Sequence, residues 1–220
     1  MQEILPPVIP SVLDQDIEKY GKVVDFSRGD TLFTPEILME KFFVVLQGRI
    51  KVSQVSLRSG KEQTLQILAQ GSLCDVVTLL DGARHENLLT ALDNVQVLTL
   101  PMDIVRSWMQ SSNSFNRLLF PYIARQMREM EELVTDLSFY NTSERLLKLI
   151  IKNIDPENPN RLKLIHDLPH EEIASLIGTV RKVLNRHIQE LKKEGLIDVE
   201  RKNIRLKDNI KLLEELDKFE

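Results

Sequence analysis

Within 179–186 lie Thr179, Arg181, Lys182, Asn185 and Arg186, side-chain types suited to nucleic acid. Arginine can fork onto guanine O6 and N7, asparagine can pair with adenine N6 and N7, and threonine and lysine can hold phosphates. These residues flank an apolar stripe, Val183, Leu184, Ile188 and Leu191, whose spacing marks the buried face of a helix. Upstream, Ile173, Ala174, Leu176 and Ile177 mark the apolar face of a shorter helix, and Gly178 supplies a tight turn between the two. Gly195 ends the second helix. Beyond it, Ile197-Asp198-Val199 and Ile204-Arg205-Leu206 alternate around a polar tip carrying Arg201 and Lys202, which reads as a wing able to reach a phosphate backbone. A helix laid in the major groove presents its N-terminal turns to base edges, so the pattern predicts a winged helix-turn-helix. Arg181 and Arg186 are separated by roughly 140° around the axis and cannot both enter the same part of the groove. Arg181, nearer the helix start, is the candidate for the two-point guanine contact.

The charge distribution agrees. The whole chain of 220 residues carries a formal net charge of −4, yet 181–207 holds nine basic residues against four acidic ones. A local basic patch, not the average, is what phosphate binding requires. The competing reading is a helical hairpin in a ligand-binding or protein-interaction module that recognises no DNA sequence; steep salt dependence of DNA binding separates the two. No Gly-x-Ser-x-Gly, Walker-type loop, Gly-x-Gly-x-x-Gly or His-Glu-x-x-His occurs, so an enzyme is not expected. Glu171 and Glu172 sit at a helix start, where the helix dipole explains them.

The elements that must carry this unit divide the chain. Apolar residues are 42% and charged residues 28%, enough for a packed core and too apolar for a disordered chain. Between 23 and 101, glycines at 29, 48, 60, 71 and 82 separate short Val-, Ile-, Leu- and Thr-rich runs, with period-two alternation over 64–68 and 95–100. This predicts a strand sandwich or barrel, with Ser59-Gly60-Lys61 at a hairpin tip. From 115 to 137 the pattern becomes helical. Phe120, Ile123, Met127, Met130, Val134 and Leu137 recur at intervals of three and four, a heptad seam suited to pairing two chains. Thr142 or Ser143 is expected to cap the next helix, and 155–160 is a proline-bearing break. The longest apolar run has five residues, far short of the about 18 that cross a bilayer, and the N-terminus has no signal-peptide pattern, so no membrane partner and a cytoplasmic protein are expected. The single cysteine, Cys74, excludes an internal disulfide, an all-cysteine zinc site and a four-thiolate iron–sulfur cluster.

The β-rich first half, the seam helix and the terminal helix-turn-helix resemble the cyclic-AMP receptor protein/FNR (CRP/FNR) family of bacterial transcriptional regulators. The stretch Glu172-Ile173-Ala174-Ser175-Leu176-Ile177-Gly178, then Arg181, then Leu191 with Gly195-Leu196-Ile197, carries the resemblance most strongly. It implies an α+β fold: a β-roll effector domain over 1–112, resembling a cyclic-nucleotide-binding domain, a dimerisation helix over 113–140 and a winged helix-turn-helix over 141–220. It further implies a homodimer on a palindromic operator, RNA polymerase as a further partner, and a small molecule in the β-roll. Many members begin the reader helix with Ser-Arg-Glu-Thr. Here the stretch is Val180-Arg181-Lys182-Val183, and Lys182 stands where an acidic residue would accept from cytosine N4.

The family's cyclic-nucleotide pocket uses a Gly-Glu-Leu segment for ribose, then an arginine and a Ser or Thr for phosphate. Here Val76 falls at the glutamate, and His85 and Glu86 at the arginine and hydroxyl positions, with Arg84 one residue away. Glu86 would repel a phosphate, so cyclic AMP is disfavoured. Haem is the sharper alternative, because Cys74 and His85 are donors in the effector module and Met39, Met102 and Met130 are further candidate ligands.

Overall fold

Alternation along the strands decides which face of each residue goes inside. The computed structural model describes residues 13–200, 203–208, 211, 212 and 214. They form two compact units, one running to Met130 without Glu62–Thr64 and the other made of Glu62–Thr64 with the chain from Glu131. The first unit contains, in chain order, α1 (Asp14–Tyr20), β1 (Lys22–Phe26), α2 (Pro35–Glu40), β2 (Lys41–Gln47), β3 (Ile50–Val55), the part of β4 (Glu62–Leu68) from Leu65 on, β5 (Leu73–Cys74), α3 (Val76–Asp81), β6 (Leu88–Ala91), β7 (Val95–Pro101), α4 (Met102–Ser111) and the start of α5 (Asn113–Phe139). One sheet has the order β1-β7-β2-β5 and a second has the order β4-β3-β6.

The run Phe42-Phe43-Val44-Val45-Leu46 is apolar throughout because both faces of β2 are covered. Phe43 and Val45 join Val95 and Val97 of their own sheet and Ile50, Val52, Leu68, Leu89 and Ala91 of the other, closing a core between the sheets. Phe42, Val44 and Leu46 face the opposite way, with Leu98 and Leu100, onto Ile17, Met102, Val105, Trp108, Phe115 and Leu119 from the helices. Each such side chain contributes about 1.5–3 kcal/mol on burial.

The stretch 23–101 is not all strand, as its composition suggested, since α2 and α3 interrupt it. Val76-Val77-Thr78 favours a strand by type. Asp75 overrides this: at φ 55° it turns the chain, and its carboxylate accepts the Thr78 amide at 3.5 Å as the cap of α3. The expected hairpin tip is present, with the Gly60 amide donating to the Ser56 carbonyl at 2.8 Å.

α5 is a single helix of 27 residues despite Pro121, and its two apolar stripes have different fates. Phe115, Leu119 and Tyr122 are buried in the first unit's core. The seam lies roughly 90° around the helix from them. Ile123 packs at the margin of that core, whereas Phe120, Met127, Val134 and Leu137 are exposed.

The second unit holds α6 (Thr142–Lys152), α7 (His170–Leu176), α8 (Arg181–Lys193), β8 (Ile197–Glu200) and β9 (Asn203–Leu206). The cap of α6 is Asn141, not Thr142 or Ser143. Its Oδ1 accepts the Ser143 and Glu144 amides while Glu144 reaches back to the Asn141 amide at 2.7 Å, a complete capping box. Leu146, Ile150, Leu162, Ile165, Ile173, Leu184, Ile188, Leu196 and Ile204 form the core. His187 is buried too, its ring bridging Thr142 Oγ1 and Glu190 Oε2, each at 2.9 Å. Lys148 pairs with Asp136, and Lys152 with Glu132 at 2.6 Å, tying α6 to the end of α5.

Candidate nucleic-acid interface

Gly178 fixes the angle at which α7 hands the chain to α8. It sits at φ +66°, and a Cβ there would meet Leu137 Cδ2 at 2.7 Å, so any larger residue is excluded both by backbone and by space. The Thr179 amide donates to the Ala174 carbonyl at 2.9 Å, closing the turn, and α8 begins after Val180 without a side-chain cap. Its first amides are therefore free to meet an anion such as a phosphate. Leu184, Ile188 and Leu191 are buried, with Val183 half-buried beside them, as the stripe required.

Arg181, Lys182 and Arg186 are exposed at the start of α8; Thr179 and Asn185 are half-buried. One turn apart, Arg181 and Asn185 share a face, and so do Lys182 and Arg186. The first pair is already engaged. Arg181 Nη1 lies 2.7 Å from Glu171 Oε1, and the His170 ring donates from Nδ1 to Asn185 Oδ1 at 2.6 Å. Oδ1 keeps a second lone pair and Nδ2 keeps its donors, so the contact with His170 orients the amide without removing either side of a two-point pairing with adenine. Glu171 does lie in the first turn of α7, where the helix dipole favours an acid, and its contact with Arg181 ten positions away is visible only in the fold. The Arg186 guanidinium is 3.9 Å from Glu190, a loose surface pair.

The wing forms as expected, β8 and β9 pairing antiparallel from Ile197↔Leu206 to Glu200↔Asn203. Its tip residues Arg201 and Lys202 lie outside the described residues.

In the first unit, the sequence-derived effector residues go to separate places. Cys74, paired with Phe43 across the strands, is buried in the core between the sheets. Val76 is buried in the other core, on the helix side. Packed in different cores, the two side chains do not line one shared ligand surface. Arg84 and Glu86 are exposed and bonded to each other at 2.6 Å, and Arg84 also pairs with Glu36 at 2.6 Å. His85 turns to Asp75, with Nδ1 3.0 Å from Oδ1, and Asn87 Nδ2 lies 3.2 Å from its Nε2.

Burial, aided by Asp75, pushes the Cys74 thiol far above its ordinary range. With its side chain packed in the core between the sheets, Cys74 does not fit the role of haem ligand. Met102 is likewise buried in the helix-side core. Among the described residues no group of three or more His, Cys, Asp or Glu side chains is arranged to hold a metal ion. No described helix is long and apolar enough to cross a membrane.

Known proteins share this arrangement. Residues 23–112 match the cyclic nucleotide-binding domain family, and residues 144–215 match the Crp-like helix-turn-helix domain family. A CRP-like cAMP-activated global transcriptional regulator from Mycobacterium tuberculosis is 24% identical over 199 residues, covering 89% of this chain and 88% of the relative. A global nitrogen regulator from Synechococcus elongatus is 23% identical, covering 83% and 84%. Among solved structures, a CooA variant from Carboxydothermus hydrogenoformans superposes with a TM-score of 0.77 at 22% identity, covering 93% of this chain and 94% of that one. The c-di-GMP responsive regulator CLP of Xanthomonas campestris gives 0.75 at 15% identity, covering 91% and 100%. At these identities the structural likenesses speak for the fold. With the two matched families in this order along one chain, and a turn-linked pair of helices followed by a two-stranded wing within the second, the chain belongs to the CRP/FNR family of DNA-binding transcriptional regulators.

Proposed function

We propose that the chain acts as a homodimer on a palindromic operator in the cytoplasm, with RNA polymerase as a further partner, and that its effector is a small molecule other than cyclic AMP. The carrying observation is the uncovered seam of α5: Phe120, Met127 and Val134 are 58%, 61% and 64% exposed, at spacings that return to one side of the helix. Three large apolar side chains in a row on an otherwise charged helix lose solvent contact when a second α5 lies along them. A parallel pair sets two copies of α8 about 34 Å apart, one turn of DNA.

Against cyclic AMP stand the carboxylates. Where the resemblance puts the phosphate, this chain has Glu86, with Asp75 beside His85; the Arg84 guanidinium is committed to Glu36 and Glu86, and that of Arg106 to the Thr78 and Leu79 carbonyls. An anion entering there meets two carboxylates. The test is sedimentation of the full chain, combined with duplex titration at rising salt. A dimer whose affinity falls steeply with salt is expected; a monomer, or binding indifferent to salt, overturns the proposal.

A further inference from the structure

The first turns of α7 and α8 are bonded to each other through four side chains. His170 and Glu171 are consecutive on α7, and Asn185 and Arg181 are one turn apart on α8, so two parallel contacts of 2.6 and 2.7 Å lace the two helix starts together. Only the Glu171–Arg181 pair stands open to solvent at both ends, with side chains 57% and 62% exposed. It carries a carboxylate on the surface that the reader helix presents to DNA. A carboxylate there repels phosphate, so a purely backbone-binding surface would not hold one.

A G·C pair shows the major groove two acceptors, guanine N7 and O6, followed by the cytosine N4 donor. The Arg181–Glu171 pair shows the complementary series: guanidinium donors, then a carboxylate acceptor. Guanidinium has five N–H donors, and the contact with Glu171 uses one, leaving others for guanine. An A·T pair would set thymine O4 and its methyl group against the carboxylate, which can accept from neither. We infer that Glu171 is a base-reading residue: with Arg181 it forms one composite reader of a single G·C pair, the guanidinium taking guanine and the carboxylate accepting from cytosine N4. This rests on the DNA-binding reading of α8 and adds to it a residue from the neighbouring helix.

The experiment uses the full chain and a duplex library randomised in both half-sites. Selection with the wild type and with Arg181→Ala locates the position whose G·C preference depends on Arg181. The cytosine of that pair is then replaced by N4-methylcytosine, which keeps the base pair and puts a methyl group where the groove-facing N–H was. Wild-type affinity is expected to fall about tenfold, in line with about 1–3 kcal/mol per good base contact. Glu171→Ala should bind the methylated and unmethylated duplexes alike. Glu171→Gln, which keeps an acceptor oxygen, should retain part of the difference. Glu171→Ala should also bind random duplex more tightly than wild type does. If methylation costs wild type and Glu171→Ala equally, or costs wild type nothing, the inference is overturned. Loss of binding to every duplex on Glu171→Ala also overturns it, since Glu171 would then only hold Arg181 in place. A wild type that binds no duplex with salt dependence fails the DNA-binding reading itself, a distinct result.

Discussion

The Tyr122 hydroxyl bridges the backbone of Leu73, donating to its carbonyl at 2.7 Å and accepting from its amide at 3.1 Å. β5 has only two residues, and it leads directly into Asp75 and α3. One buried phenol therefore anchors the long helix to the strand beside the candidate effector segment.

Tyr122→Phe should keep the fold and lose about 1–3 kcal/mol, because two buried backbone groups lose their partner. Chemical denaturation should show a lower midpoint with an unchanged slope. Burial, with the Cys74 thiol as a lesser cause, raises the Tyr122 phenol from its ordinary 10.0 to about 12. The folded state thus favours the neutral phenol. That contribution is complete below about pH 10 and is lost as pH rises from 10 to 12, a loss the Phe variant should not show.

Val134→Lys puts a charge into the proposed α5–α5 seam and should cost the dimer several kcal/mol. Val134 is exposed within one chain, so the variant should fold normally. Sedimentation should report a monomer and weaker operator binding. A dimer of unchanged affinity would show that the seam lies elsewhere.

Calorimetry with millimolar cyclic AMP should give no saturable heat. The two carboxylates at the phosphate position make the unfavourable term. A micromolar isotherm would restore the ordinary nucleotide-sensor account.

Arg181→Ala should cost about 1–3 kcal/mol per half-site and flatten the preference at one base pair. Lys182→Ala, on the neighbouring face, should weaken operator and random duplex equally and lower the salt slope by about one. Equal losses on both duplexes for Arg181→Ala would assign it to phosphate instead.

Cys74 should stay unreactive towards a thiol reagent such as DTNB in the native protein and react once denaturant is added. Its thiol is buried and its pKa is pushed well up, so the reactive thiolate is scarce.

Features carried by local repetition were readable in the sequence. The seam of α5, the stripe Leu184, Ile188, Leu191 and the alternation of β7 follow from periods of 3.6 and 2, which a chain displays whatever it later packs against. Gly178 and Gly195 announced their turns because both sit at positive φ, where few other residues are comfortable. The order of the two domains followed from the same signals read in sequence.

What escaped were relationships between residues far apart or conformations set by a single contact. α3 is a helix because Asp75 caps it and Gly82 closes it, against the strand preference of Val76 and Val77. Asn141, not Thr142, caps α6, its Oδ1 accepting two amides while Glu144 returns a contact to its own amide. Cys74 and Val76 read as pocket residues from their place in the chain, yet the pleat of β5 sends Leu73 and Cys74 into different cores. Composition and period determined that a strand-built domain precedes a basic-fronted helix-turn-helix along the chain. Which side chains of the two helices meet, above all Glu171 with Arg181, was decided by the packing of α7 on α8, since a contact between neighbouring helices leaves no period in either one.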